Sequence, residues 1–275
     1  MTAVLNDSKA VEVRSKRFGI WYVAEHKIRV MKGYGWTMVI TALGGPMIYL
    51  FALGVGLSTL IDHGTGANAA LGVSFLLFVA PGLLASSAMM TMAEEMTFTV
   101  YGGFKWNPIY EGMVSAPLSG RQIAWGHTLA ASMRMFLTVT VYYLILLVFG
   151  AATTPYSWLM ILSSSLTGAA IGIWLMCLAA SIQHDTGQLT LVMRFVITPM
   201  FLFSGTFFPL SQLPGFLQWI GWISPLWHGN ELGRVLSFGY PEPPWMTAAH
   251  LLILLGVLIS GLLFAAYAFE RRLNK

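Results

Sequence analysis

Residues able to do chemistry are few, and most stand beside long apolar runs. Arg134 lies inside the apolar run 124–149, and Glu94 and Glu95 close the run 70–93. A guanidinium in such a run is costly and is normally paired or functional. Its position leaves three outcomes: an ion pair with Glu94 or Glu95, snorkelling to the surface, or contact with an anionic headgroup. The six His are scattered, and His184-Asp185 falls in a short polar stretch that reads as solvated or structural. Gly102-Gly103-Phe104-Lys105 lacks the spacing of a phosphate loop, and neither an H-E-x-x-H nor a Cys/His cluster occurs. A single cysteine, Cys177, excludes both an internal disulfide and a cysteine-built metal site. No catalytic residue, no metal ligand and no bound cofactor is expected.

The elements positioning these residues are apolar helices. Only 9% of the 275 residues are charged and 56% are hydrophobic, whereas a soluble domain carries about 25% charged residues. Most of the chain must therefore face lipid, as one polytopic, all-α membrane domain. The net charge of +4 comes largely from the ends, with seven Lys and Arg between Lys9 and Lys32 and three more at Arg271, Arg272 and Lys275. Such clusters beside apolar runs are topology signals, and no nucleic-acid partner is expected. The first apolar run is too long for a signal-peptide core, so no cleavable signal is expected.

Hydropathy predicts six spans, over about 36–58, 70–93, 124–149, 157–181, 190–210 and 247–269. Before them, residues 1–13 are expected to be disordered. The stretch 14–32 places Phe18, Trp21, Tyr22 and Ile28 at helical spacing, which reads as an interfacial helix or as the snorkelling flank of span one. The 59–69 loop has Asp62 and no Lys or Arg, the 150–156 loop is uncharged, and 211–246 has Arg234 as its one basic residue. Lys105, Arg121, Arg194 and both basic ends lie on the other side, so both termini are expected in the cytoplasm. Small residues between Ser163 and Gly172 predict a helix-packing face. Gly44-Gly45-Pro46 and Pro81-Gly82 predict kinks, the second beside Ser86; each is either a widening of a pathway or a packing bend.

The cytoplasmic stretch 94–121 holds Tyr101, Phe104, Trp106 and Tyr110, with little charge beyond Lys105 and Glu111. It suits either a docking surface or aromatic anchoring at the interface. Span five is short and is interrupted by Pro199, then ends in Phe207-Phe208-Pro209. Broken helix in lipid is tolerated only where protein buries it or water lines it, so this segment points to a translocation path or gate. The Trp219, Trp222 and Trp227 group beyond it reads as an interface belt.

Four stretches resemble one family. They are Pro46–Gly54, Ala80–Met90 (APGLLASSAMM), Trp106–Gly120 (WNPIYEGMVSAPLSG), and Val196–Met200 running into Phe203–Pro209 and Leu213-Pro214. With them the chain resembles ABC-2 type exporter permeases, closest to the nodulation-factor and lipooligosaccharide export permeases. The resemblance implies a non-catalytic permease of the bacterial cell membrane with the ABC-2 exporter fold over 33–275 and a connecting helix over 14–32. It implies a homodimer, or a pair with a related permease, among membrane lipids, and a separate ATPase subunit that binds ATP and Mg. It also implies a coupling region at about 94–121, with Glu94, Glu95, Phe104, Lys105, Trp106 and Glu111 meeting the ATPase. Re-entrant outer-leaflet helices follow over about 209–235. Path or gate residues on this view are Pro81, Ser86, Arg134, Phe203, Ser204, Phe207, Phe208 and Pro209. A lipid-linked or amphipathic cargo is expected, with drug export as the alternative. An intramembrane transferase would need further titratable groups at the depth of Arg134, and a scaffold would leave the broken span unexplained.

Overall fold

The computed structural model describes residues 2–57, 73–184 and 186–274. The 59–69 loop used for topology, the junctions of spans one and two with it, and Asp185 lie outside the described residues. All regular structure among the described residues is helical.

Helix α1 covers Thr2–Lys32, so the stretch expected to be disordered is helical from Thr2. Residues 2–13 contain neither Gly nor Pro and include several good helix formers. A turn at Gly33-Tyr34 leads into α2, Gly35–Tyr49, which widens into a π-helical segment, Leu50–Leu57. Pro46, which has no N–H to give, precedes that widening by one turn.

Ser74 opens α3, Phe75–Met96, by accepting the Leu77 amide at 3.4 Å. Two short helices follow, α4 (Phe98–Lys105) and α5 (Ile109–Ser115). A capping box of Ser119 and Gln122 then starts α6, Gly120–Val148. Next come α7, Leu159–Ser181, and the broken fifth segment: α8 (Gln188–Val192), a π turn (Met193–Ile197) and α9 (Thr198–Phe203). A 3₁₀ turn at Leu210–Gln212 precedes α10 (Gly215–Ile223), α11 (Pro225–Phe238) and α12 (Pro244–Leu273).

Among the described residues, four helices are long and apolar enough to cross a membrane: Phe75–Lys105, Gly120–Val148, Leu159–Ser181 and Pro244–Leu273. The apolar Gln188–Phe203 is shorter, and stops well before residue 210. Helices α3 and α7 form the centre, mostly buried, while α6 and α12 keep most of their surface outward.

The small residues of α7 are packing positions. A Cβ at Gly168 would lie 2.6 Å from Met135 Sδ and 2.8 Å from the Ala88 backbone, and one at Gly172 would lie 2.7 Å from Met92. Hydrogen takes the place of a side chain so that α7 can touch α3 directly. Gly168→Leu should therefore lower stability by about 1–3 kcal/mol through overpacking, read as a lower unfolding midpoint in detergent. Gly256→Leu, where nothing lies within 4 Å, should leave the midpoint unmoved.

Candidate functional site: two polar clusters joined by α3

An apolar bundle shows its functional positions as buried polar groups, and here they gather in two places. Helix α3 contributes to both, through Phe78 near its start and Glu95 near its end. Seventeen residues of α-helix separate these positions, about 26 Å along the axis.

The first cluster surrounds Glu95. Its carboxylate pairs with the Arg134 guanidinium of α6. Of the three outcomes open to Arg134, the ion pair with Glu95 is realised. His127 lies one side of the pair, with Nε2 3.2 Å from the Glu95 carbonyl and Nδ1 3.0 Å from the Tyr110 hydroxyl. Lys27 of α1 is buried nearby; burial lowers its pKa, and the Glu95 charge opposes that shift. Burial, then the Glu95 charge, raises the Tyr110 pKa, which keeps the phenol neutral. Arg134 thus has a carboxylate beside it, and His127, about two turns earlier on α6, meets the backbone of the same glutamate.

Tyr110 packs edge-on to Phe104 with centroids 4.7 Å apart, and Phe269 of α12 closes the group. The Arg272 guanidinium sits 3.9 Å over the Phe104 ring and donates to the Ala179 and Ala180 carbonyls at the end of α7. These contacts divide the six expected coupling residues. Glu94, Lys105, Trp106 and Glu111 are exposed, Trp106 by 68%. Phe104 and Glu95 are buried and cannot present themselves to another protein. An aromatic in a short amphipathic helix packs inward once a facing pocket exists, and α12 with α5 supplies it.

The second cluster surrounds Arg234 of α11, whose side chain is 1% exposed. Its Nη1 donates to Glu231 at 2.6 Å, its Nη2 donates to the Gly205 carbonyl, and its Nε reaches the Phe78 carbonyl at 3.4 Å. The guanidinium also lies 3.8 Å over the Phe78 ring. One turn earlier, Asn230 donates to the Ser204 carbonyl at 2.8 Å and to Thr206 Oγ1 at 3.2 Å. Ser204 Oγ in turn donates to Ser224 Oγ at 2.7 Å. Gly205 adopts φ +73°, a left-handed conformation that suits glycine where α9 ends.

The backbone comes close here. A Cβ on Gly82 would lie 3.1 Å from the Thr206 backbone, and one on Gly233 would lie 2.9 Å from Pro81. Of the expected path residues, Pro81 and Ser204 thus border the Arg234 cluster. Phe207 packs on Phe201, which packs on Tyr49 of α2. Phe203, Phe208 and Pro209 are half-buried. Ser86 is buried on α3, with no partner for its hydroxyl among the described residues. Arg134 belongs to the other cluster and not to this group.

Beside Arg234 runs a second chain of polar contacts. His250 Nε2 meets Glu242 Oε1 at 2.9 Å, and His228 Nδ1 meets His250 Nδ1 at 2.6 Å. With His250 donating to Glu242, its Nδ1 accepts and His228 donates. Burial, then the neighbouring His250, pushes the His228 pKa down to about 4. Trp227 is buried against both imidazoles, so it is not part of an interface belt; Trp219 and Trp222 remain exposed. In the sequence Arg234 stands as the one basic residue of 211–246. Asn230, Glu231 and Arg234 at helical spacing were the available signal.

A family model described as ABC-2 type transporter matches residues 20–238. The chain belongs to this family. Among its relatives, a protein named "Nodulation protein J" from Rhizobium leguminosarum bv. viciae is 31% identical over 211 residues, covering 74% of this chain and 76% of that protein. The protein of the same name from Rhizobium leguminosarum bv. trifolii is 32% identical over 212 residues, 72% of this chain and 73% of its own length. A third, from Neorhizobium galegae, is 31% identical over 206 residues, 73% and 74%. As an ABC-2 permease the chain is the integral membrane subunit of a transporter, and its family implies work with an ABC ATPase subunit.

In this permease the Glu95–Arg134 pair is testable by deletion. Glu95→Gln leaves a partly buried guanidinium without its counter-charge and should cost about 3 kcal/mol of stability. The Glu95→Gln/Arg134→Met double variant should recover most of that loss, measured as unfolding midpoints in detergent. A double variant weaker than both singles would refute the coupling.

Proposed function

We propose that the chain is the permease of an ATP-driven bacterial exporter for an amphipathic, lipid-linked saccharide. One observation carries the reading: the apolar segment Gln188–Phe203 stops short, and its polar end is held by Asn230 and Arg234 of α11. A segment so built is stable at membrane depth only when protein encloses it, as the gate of a path requires. The resemblance to lipooligosaccharide export permeases supports the cargo.

On this reading α2 with its π turn and the broken α8–α9 segment add two spans to the four long helices. Both termini lie in the cytoplasm of the inner membrane, as the charge bias supports. Helix α1 lies in the interface, with Phe18, Trp21 and Tyr22 outward. The α10–α11 pair dips back from the outer surface. Two copies of the permease form the path, and each meets an ATPase subunit that binds ATP and Mg. Exposed Glu94, Lys105, Trp106 and Glu111 receive that subunit, and buried Phe104 and Tyr110 pass its movement to α12 and α6. Nucleotide binding then shifts the population between two states of the path.

Two experiments address this. In proteoliposomes with the ATPase subunit, Trp106→Ala should reduce coupled transport by about tenfold, the loss expected of an aromatic anchor. Trp245→Ala, equally exposed on α12, should not; full transport in the Trp106 variant would sink the coupling assignment. For topology, Gln212→Cys in a Cys177→Ala background should react with a membrane-impermeant maleimide in intact cells. Reaction only after lysis would reverse the orientation.

A further inference from the structure

We propose that the groove between α7 and α12 binds an anionic glycerophospholipid of the surrounding bilayer, with its phosphate held at Arg271 and Arg272. The cavity measures about 540 Å³, within the range of about 300–1,000 Å³ typical of small-ligand sites. Trp174, Leu178 and Ser181 of α7 line it opposite Phe264, Ala268 and Arg271 of α12. Each set repeats at i, i+4 and i+7, so each is one helix face. Both faces run from aromatic to polar in the same direction. Seven residues of helix, about 10 Å, separate the Trp174–Phe264 ring pair from Ser181 and Arg271. The site needs only a bilayer around α7 and α12, whatever the cargo or the direction of transport.

Three features select the ligand. First, the polar end is basic. Arg271 is exposed and has no carboxylate partner among the described residues, and no carboxylate lines the cavity. Glu270, its acidic neighbour in sequence, is engaged by Arg121 at 2.7 Å. Second, the helix end that would repel an anion is already partnered. The last carbonyls of α7 carry partial negative charge, and Arg272 Nη1 donates to two of them, Ala179 at 3.0 Å and Ala180 at 2.9 Å. The other N–H groups of Arg272 and the whole Arg271 fork remain for phosphate oxygens, which a guanidinium meets in bidentate fashion. Exposed Gln183 adds an amide at the same end. Third, the far end is apolar and has no donor to spare. Trp174 gives its indole N–H to the Val257 carbonyl at 3.0 Å, and its ring centroid lies 5.3 Å from that of Phe264. Phe264 and Tyr267 keep 55% and 59% of their surface exposed, which an acyl chain can cover. A soluble anion would use the basic end alone, and a neutral lipid the apolar end alone. A phosphate that carries acyl chains uses both, as basic pockets between spans at a membrane surface do for anionic headgroups.

The test uses the full chain, purified in a mild detergent and followed by native mass spectrometry. Phosphatidylglycerol and phosphatidylcholine with identical acyl chains are supplied together, and inorganic phosphate serves as a third probe. The wild type should retain phosphatidylglycerol in preference to phosphatidylcholine. Arg271→Gln should weaken that retention about fivefold, the share of one basic residue at a membrane surface. Its unfolding midpoint without lipid should stay level, because Arg271 is exposed and unpaired among the described residues. Arg17→Gln, which removes an exposed charge from α1, should leave the preference intact. Phosphatidylglycerol should also raise the wild-type midpoint, and Arg271→Gln should lose most of that rise. Should Arg271→Gln fail to fold, Phe264→Ala decides, since it trims an exposed ring at the chain end and should weaken phosphatidylglycerol retention several-fold. Equal retention of the two lipids would mean ordinary boundary lipid and overturn the proposal. So would wild-type selectivity in both variants. Displacement of phosphatidylglycerol by inorganic phosphate at equal concentration would leave an ion site only, and would overturn the lipid assignment as well.

Discussion

A helix that stops inside an apolar layer leaves carbonyls that must find donors, and in this permease the donors come from α11. Helix α9 ends at Phe203, and the next two carbonyls, of Ser204 and Gly205, are taken by Asn230 and Arg234. An unsatisfied carbonyl in hydrocarbon costs several kcal/mol, so this capture decides whether the broken segment can exist. Arg234 suits the task because its planar fork donates in several directions at once, to Gly205, Glu231 and Phe78, while its face lies on the Phe78 ring. A lysine at this position would offer a point charge and no fork.

The glycines and proline around that guanidinium follow from it. For Arg234 to reach both Phe78 and Gly205, α11 and the end of the broken segment must lie against α3. Gly82 and Gly233 permit that approach, and the positive φ of Gly205 turns the chain into it. The α10–α11 pair is therefore the structural cap of the fifth segment as well as a wall of a cavity beside it. Changes in one are felt by the other, since Arg234 and Glu231 belong to both.

Hydropathy and charge made much of this legible. The long apolar helices, the break in the fifth segment and the small-residue face of α7 follow from residue type and spacing alone. Arg134 was marked as needing a partner, and Glu95 was among the two named. Reading stopped where the partner is distant in sequence. Arg234 is bonded to residues 156 and 29 positions away, and no local pattern around it discloses them. The same limit applies to Phe104 and Trp227. Residue type says that an aromatic or a carboxylate will stand at a membrane interface or a docking face; only the neighbouring helix decides that it turns inward. Residues 2–13, expected to be disordered, differ for another reason: nothing in their composition breaks a helix.

The burial of Phe104 ties the segment after α3 into the bundle. On the coupling role proposed for Trp106, a mobile loop at this place would absorb the stroke itself. Instead α4 is held by Phe104 to Phe269 of α12 and to Tyr110 of α5, and Tyr110 is bound through His127 to α6 and to the Glu95 carbonyl of α3. Arg272, lying over the same ring, grips the end of α7. An elbow fastened to four helices cannot bend without moving them, so displacement there favours motion of packed bodies over local rearrangement. Because α3 carries Glu95 at one end and Phe78 at the other, any turn of that helix reaches the Arg234 cluster directly. The cap on the broken segment and the Glu95–Arg134 pair thus meet opposite ends of one helix.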